Sequence, residues 1–190
     1  CLRASRLVSI QGPGSTMVKN VRGFAFCIVG LALFATTTQN GHGKGLPLIE
    51  LPVKPPAPAM HLQEYEGEAF DLKKYLGRIV VVNFWATWCA PCLKEMPALE
   101  AAWKTLRKED VLLVGVNLGD TPRKIERFLK HRPVSFPILM DIDSDTFEQW
   151  QIQRLPTTYI VGPDGRIHLG AIGDRDWNSP QILNTIRSLK

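Results

Sequence analysis

Cysteine is scarce in this chain, and its scarcity excludes one class of protein. The 190 residues include four cysteines, of which Cys1 and Cys27 lie within the first 45 residues. Only Cys89 and Cys92 remain in the rest of the chain, so a framework of several structural disulfides cannot form there. A domain of about 130 residues can bury a sufficient core without such bridges. The one remaining pair is therefore free to carry chemistry.

A surplus of one charge sign is also missing from most of the chain. The net charge of +5 arises from the first 45 residues, which hold five of the 23 basic residues and none of the 18 acidic ones. The remainder carries equal numbers of both signs. Because nucleic-acid binding requires a basic surface, we exclude nucleic acid as a partner.

No apolar run reaches the length of a membrane-spanning helix. The run in residues 24–35, FAFCIVGLALFA, would extend about 18 Å as a helix, against roughly 30 Å for the hydrocarbon core. It follows a short basic segment and precedes a polar one, which is the layout of an export signal. A clean A-x-A cleavage site is lacking, so residues 17–40 are either a signal peptide or an uncleaved N-terminal membrane anchor.

This layout predicts a domain organisation and a location. We interpret residues 1–16 as upstream over-translation before a start at Met17, residues 41–56 as a linker and residues 57–190 as the folded domain. The export signal predicts a periplasmic or otherwise extracytoplasmic protein. If the segment is uncleaved, it would anchor the protein to the inner membrane.

Strand and helix patterns alternate after Met60. Residues 78–85 and 111–118 are continuous apolar runs, typical of central strands buried on both faces. Residues 60–70 and 157–172 predict two hairpins, and helices are predicted over 91–107, 122–132, 144–151 and after Ser179-Pro180. Parallel strands joined by helices, with a closing hairpin, imply an α/β fold whose mixed central sheet is flanked by helices.

The two cysteines occupy the first turn of the helix that follows the first central strand. With Cys89 as N-cap, Cys92 is the third helical residue, and positions three apart on a helix lie roughly 5–6 Å apart, within disulfide range. The helix N-terminus favours the thiolate of Cys89 and should lower its pKa below the free value of about 8.5. This predicts Cys89 as the attacking thiol and Cys92 as the resolving thiol.

A C-x-x-C pair is also half of a zinc site. Zinc requires four ligands, and the other candidates are scattered histidines at positions 42, 61, 131 and 168. Haem attachment requires a histidine directly after the second cysteine, where Leu93 stands. The sequence therefore predicts neither a metal nor another cofactor.

The segment VNFWATWCAPCLKEMPAL, residues 82–99, strongly resembles the TlpA/ResA-like thiol–disulfide oxidoreductases of the thioredoxin superfamily. Further matches are GEAFDLKKYLGR, VGVNL, SFPILMD and LPTTYIVGPDG, and the resemblance extends from about Ala57 to Lys190. It implies a thioredoxin-like fold with an added N-terminal hairpin. It also implies a protein-disulfide reductase that cycles between a Cys89–Cys92 dithiol and disulfide.

The resemblance also implies a substrate platform. In relatives the proline corresponding to Pro156 follows a cis peptide bond beside the reactive cysteine, so Leu155 should offer backbone groups to a substrate strand. Together with Trp88 and Pro91, which flank Cys89, these residues are the expected substrate-binding set.

One departure from thioredoxin concerns proton transfer. Asn83 stands where thioredoxin has a buried aspartate, and an amide cannot carry protons. Relatives with this change have an acidic residue three positions after the second cysteine, which here is Glu95. Glu95 is therefore expected to manage the proton of Cys92.

The expected partners follow from the same resemblance. Substrates would be disulfides of extracytoplasmic proteins such as apocytochrome c, and the electron donor a DsbD/CcdA-type membrane protein. One alternative is a peroxiredoxin-type thiol peroxidase, but its P-x-x-x-T-x-x-C motif is absent, with Val82 and Ala86 in the places of Pro and Thr. A copper carrier is the other alternative, and it would need C-x-x-x-C and a ligating histidine.

Overall fold

The computed structural model describes residues 47–190. The predictions for residues 1–16, for residues 17–40 and for the first part of the linker lie outside the described residues. Within residues 47–190, no helix combines the length and apolar character needed to cross a membrane.

Two parallel strands at the centre of the sheet are built from the continuous apolar runs. Strand β4 spans Ile79–Trp85 and strand β5 spans Val111–Leu118, and every residue of both is buried. Their register aligns Val81 with Leu113. A strand covered on both faces needs apolar side chains at successive positions, which explains why neither run alternates with polar residues.

In the described part of the chain, six further strands belong to the sheet. They are β1 (Ile49–Glu50), β2 (His61–Glu64), β3 (Ala69–Asp71), β6 (Ile138–Asp141), β7 (Thr157–Val161) and β8 (Ile167–Ile172). The order across the sheet is β1-β8-β7-β4-β5-β6-β2-β3. Strands β4, β5 and β6 are parallel, whereas the β7–β8 hairpin and the β2–β3 pair join antiparallel. The predicted mixed sheet of an α/β fold is therefore confirmed.

Within residues 47–190, four α-helices pack beside the strands. They are α1 (Ala90–Leu106), α2 (Pro122–His131), α3 (Asp145–Gln149) and α4 (Pro180–Arg187). Helices α2 and α4 both begin with proline, which has no backbone N–H. The N–H of the first helical residue has no partner within the helix, so proline there loses no helical hydrogen bond. The Ser179 hydroxyl caps α4 by accepting a hydrogen bond from the N–H of Ile182 at 3.4 Å. These local signals explain why the helix bounds agree with prediction within two residues.

Two hydrophobic clusters lie on opposite faces of the sheet. Alternate residues of β4 divide between them, with Val81 in the first cluster and Val82 in the second. Helices α1 and α4 cover the first face through side chains that include Leu99 and Ile182. Since side chains alternate across a strand, Asn83 of β4 faces the same side as α1. This alternation brings a polar strand residue to the helix that carries the cysteines.

Part of the predicted linker, residues 41–56, belongs to the sheet. Strand β1 pairs antiparallel with β8, aligning Ile49 with Gly170, and Pro56 forms a bridge with Arg166. The N–H of Leu51 also donates to the carbonyl of His168 at 2.9 Å. The proline-rich composition suggested a spacer, but the open edge of β8 provides backbone partners that an isolated extended segment would lack.

Candidate active site

The cysteine pair lies at the carboxyl end of β4, where a short turn leads into α1. Cys89 is the N-cap of α1, and its Sγ accepts a hydrogen bond from the N–H of Cys92 at 3.3 Å. The two Cα atoms are 5.3 Å apart and the sulfur atoms are joined in a disulfide. The i,i+3 spacing at the helix start brings the two cysteines within disulfide range. The unpaired N–H groups of the first turn would stabilise a thiolate on Cys89 after reduction.

The two cysteines differ in their access to the surface. Cys89 is 5% exposed and borders a groove of about 670 Å³, whereas Cys92 is 0% exposed and does not line the groove. Trp88 projects beside the groove with 70% of its surface exposed. The walls of the groove are mostly apolar and comprise Trp88, Cys89, Ala90, Pro91, Leu118, Gly119, Ser144, Phe147, Gln153, Arg154 and Leu155. An incoming disulfide can therefore approach Cys89 but not Cys92.

Leu155 and Pro156 lie between α3 and β7, next to this groove. The bond between them is a cis peptide, as the resemblance implied. Leu155 lines the groove, and the Pro156 carbonyl accepts a hydrogen bond from the N–H of Gly173 at 2.8 Å. The Thr157 hydroxyl donates to the carbonyl of Arg154 at 2.7 Å. These two hydrogen bonds hold the backbone on either side of Leu155.

Glu95 is buried one helical turn beyond Cys92, with only 2% of its surface exposed. Its Oε1 accepts a hydrogen bond from Nδ2 of Asn83 at 2.9 Å. Its Oε2 accepts from the N–H of Arg175 at 3.1 Å and from Nε1 of Trp177 at 2.7 Å. Burial raises the pKa of Glu95 from 4.5 to about 7, although these three hydrogen bonds favour the ionised form and oppose the rise. The carboxyl can therefore gain or lose a proton near neutral pH.

The residues around Glu95 come from distant parts of the chain. Nδ2 of Asn83 donates both to Glu95 and to the Thr158 hydroxyl, in each case at 2.9 Å. Sequence reasoning missed Thr158, Arg175 and Trp177 as contributors to the site. No local pattern could have identified Trp177, because it lies 82 residues from its partner.

A second missed group holds the turn that leads to Cys89. Asp120, 1% exposed, follows β5 and accepts hydrogen bonds from the Thr87 N–H at 2.7 Å and the Thr87 hydroxyl at 3.0 Å. Nδ2 of Asn117 donates to the same carboxylate at 3.1 Å, and Nζ of Lys124 lies 3.5 Å away. Asp120 thus fixes the backbone two residues before Cys89.

Residues 47–190 contain no group of three or more histidine, cysteine, aspartate or glutamate side chains arranged to hold a metal ion. The described site contains the two cysteines, one buried carboxyl and an apolar groove.

Comparison with known proteins identifies a family and several similar sequences. The sequence profile described as the AhpC/TSA family matches residues 53–169. The thiol-disulfide oxidoreductase ResA of Bacillus subtilis is 33% identical over 111 residues, which cover 58% of this chain and 62% of that protein. ResA of Halalkalibacterium halodurans is 31% identical over 117 residues, covering 60% and 66% respectively. The chain thus spans less than two thirds of the length of these relatives.

Solved structures support the fold. StoA of Bacillus subtilis superposes with a TM-score of 0.56 at 27% identity, covering 62% of this chain and 90% of StoA. The thioredoxin domain of a thiol-disulfide oxidoreductase from Bacteroides vulgatus gives a TM-score of 0.64 at 21% identity, covering 74% and 99%. These similarities confirm the predicted thioredoxin-like fold and the predicted resemblance to ResA-like proteins.

Proposed function

The chain belongs to the AhpC/TSA family, and we propose that it is a thiol–disulfide oxidoreductase that reduces disulfides in other proteins. The observation that carries this proposal is the unequal access of the two thiols. Cys89 caps a helix and borders an apolar groove, whereas Cys92 is buried within disulfide distance of it. The similarity to ResA proteins supports the same chemistry.

In the proposed reaction, the thiolate of Cys89 attacks one sulfur of a substrate disulfide. A mixed disulfide forms and the other substrate sulfur leaves as a thiolate. Cys92 then gives up its proton and attacks Sγ of Cys89 as a thiolate, which releases the second substrate thiolate and forms the Cys89–Cys92 disulfide. Two electrons pass from the dithiol to the substrate.

Proton transfer accompanies the second step, because a thiol must lose its proton before it attacks a disulfide. Glu95 lies three residues from Cys92 on the same helix face and is buried with it. Its raised pKa of about 7 suits a group that accepts a proton and returns it when the disulfide is reduced again. We therefore assign Glu95 as the general base toward Cys92.

The groove is the proposed site for the substrate polypeptide. Trp88, Pro91 and Leu155 supply apolar contacts around Cys89. A strand running past Leu155 and Pro156 could hydrogen-bond to the backbone there while its disulfide faces Cys89. Apocytochrome c is a candidate substrate of this kind.

Trapping of the mixed disulfide tests these roles. In the Cys92→Ser variant the resolving step is lost, so disulfide-bonded substrates should remain attached to Cys89. The matched Cys89→Ser variant should capture far less, because its remaining thiol is buried. If the two variants capture substrates equally, the assignment of attacking and resolving thiols is wrong.

The direction of electron flow is proposed to be reductive. Titration of the cysteine pair against glutathione should give a potential near that of thioredoxin, about −270 mV. A value near about −120 mV would identify an oxidant instead.

A thiol peroxidase is the alternative activity for such a pair. Val82, fully buried in β4, and Ala86, directly after it, occupy the Pro and Thr positions of the peroxiredoxin motif. Neither side chain can donate a hydrogen bond to a peroxide. The reduced protein should therefore consume hydrogen peroxide much more slowly than it reduces insulin disulfides, and the opposite order would favour the peroxidase.

We also propose an extracytoplasmic location, with electrons supplied by a DsbD/CcdA-type membrane protein. The basic-then-apolar pattern of residues 17–35 supports export. This segment should export a fused reporter enzyme, and Leu31→Asp within the apolar run should block that export. Retention of the unaltered fusion in the cytoplasm would contradict the proposed location.

A further inference from the structure

Trp177 is a buried tryptophan whose indole N–H serves the carboxyl group of the proposed base. It is 1% exposed, and its Nε1 donates to Oε2 of Glu95 at 2.7 Å. Among the described residues, the buried indole nitrogens of Trp85, Trp103 and Trp150 have no hydrogen-bond partner. The bond to Glu95 is therefore a specific arrangement and not a general property of tryptophans in this core.

The segment that carries Trp177, residues 173–177 between β8 and α4, is attached to the site at several points. The N–H of Gly173, which has a φ of 87°, donates to the carbonyl of Pro156 at 2.8 Å. Asp174 forms an ion pair with Lys94 at 2.6 Å, next to Glu95 on α1. The N–H of Arg175 adds a second donor to Glu95 at 3.1 Å. The segment thereby links the cis-proline platform to the buried carboxyl.

The surroundings of Glu95 can be described group by group. Strand β4 contributes Asn83, which also binds Thr158 of β7, and the 173–177 segment contributes the donors Arg175 and Trp177 together with Asp174, which pairs with Lys94. On α1, Cys92 lies three residues before Glu95, on the same helix face. Burial is the largest influence and raises the pKa of Glu95, and the charge of Asp174 raises it further. Among the groups that lower this pKa, the N–H of Trp177 has the largest effect.

We propose that Trp177 is a positioning residue that orients the Glu95 carboxyl and holds it ionised at the moment when Cys92 must give up its proton. This inference rests on the proposed role of Glu95 as a base in thiol–disulfide exchange. Without the indole donor, a larger fraction of the carboxyl would be protonated near neutral pH, and the protonated form cannot accept a second proton. The segment after β8 would thus set the pH range in which the enzyme turns over.

The test compares Trp177→Phe with Trp150→Phe. Both substitutions remove a buried indole, but only the first removes a hydrogen bond to Glu95. The carboxyl titration of Glu95 is followed by carbon NMR in the oxidised protein, and insulin reduction is measured against pH in parallel. In Trp177→Phe we expect Glu95 to titrate about one pH unit higher, a tenfold change in proton affinity, because a hydrogen bond to the ionised form is lost. The pH–rate profile should move in the same direction, and Trp150→Phe should leave both unchanged.

A second variant covers the case in which Trp177→Phe does not fold. Benzothienylalanine at position 177 replaces only the indole N–H by sulfur and keeps the packing volume. A Glu95 titration that matches the unaltered protein in either folded variant would overturn the inference. If the NMR titration moves but the rate profile does not, Trp177 positions Glu95 as inferred, and the assignment of Glu95 as catalytic base is wrong.

Discussion

The buried carboxyl of Glu95 should make the oxidised protein less stable as the pH rises toward 7. In the folded state its pKa lies at about 7, whereas the ordinary value is 4.5. Because the folded-state pKa is raised, the unfolded chain releases this proton at lower pH than the folded protein does. The contribution to stability is therefore fully present below about pH 4.5 and is lost as the pH rises toward 7.

The magnitude follows from the difference between the two pKa values. Each pH unit of difference corresponds to about 1.4 kcal/mol, so the free energy of unfolding should fall by roughly 3 kcal/mol between pH 4.5 and 7.5. Solvent screening reduces this free-energy difference only slightly, since only 2% of Glu95 is exposed. A loss of this size is a large part of the total stability of a small domain, about 5–15 kcal/mol.

Urea unfolding of the oxidised protein at a series of pH values measures this loss. The Glu95→Gln variant keeps every other titratable group. The difference between its free energy of unfolding and that of the unaltered protein therefore isolates the contribution of Glu95. Relative to the unaltered protein, Glu95→Gln should gain roughly 3 kcal/mol between pH 4.5 and 7.5. The control Glu66→Gln removes an exposed carboxyl from the β2–β3 turn and should keep the original pH dependence. A constant difference between the Glu95→Gln and unaltered proteins over this range would refute the reasoning.

Other regions of the site and core give three further predictions. Pro156→Ala should slow the reduction of insulin more than that of a small disulfide, because it disturbs the backbone beside Leu155; equal slowing of both would count against a substrate platform. Asp120→Asn should lower the free energy of unfolding by roughly 2 kcal/mol, because the turn at Thr87 loses a charged hydrogen-bond acceptor. If denaturant titration shows no loss of stability, Asp120 does not hold this turn. Leu99→Ala, at a fully buried position of α1, should cost about 2–5 kcal/mol, whereas a change at the exposed Leu76 should stay within about 0.5 kcal/mol.

Several features of the site were predictable because their causes are local. A cysteine three positions before another at a helix start places the first at the N-cap and the second within bridging distance. The burial of β4 and β5 follows similarly from continuous apolar runs that only a doubly covered strand can accommodate. The cis bond before Pro156 was available only through resemblance, because sequence alone makes trans the common form.

The proton affinity of Glu95 is a property that the tertiary structure alone decides. Glutamate on a helix is usually exposed, and only the family resemblance singled out Glu95. Its burial and its partners Asn83, Arg175 and Trp177 come from β4 and from the segment after β8. Similarly, Asp120 reaches Thr87 only because β4 and β5 end side by side.

The sequence by itself thus determined the thiol pair, its place at the start of a helix and the class of fold, because these depend on spacing and periodicity within short segments. The tertiary structure decided which carboxyl is buried, which indole binds it and that Cys89 rather than Cys92 borders the groove. Burial and hydrogen bonding between residues some 80 positions apart set pKa values and access. Such contacts exist only after the chain has folded.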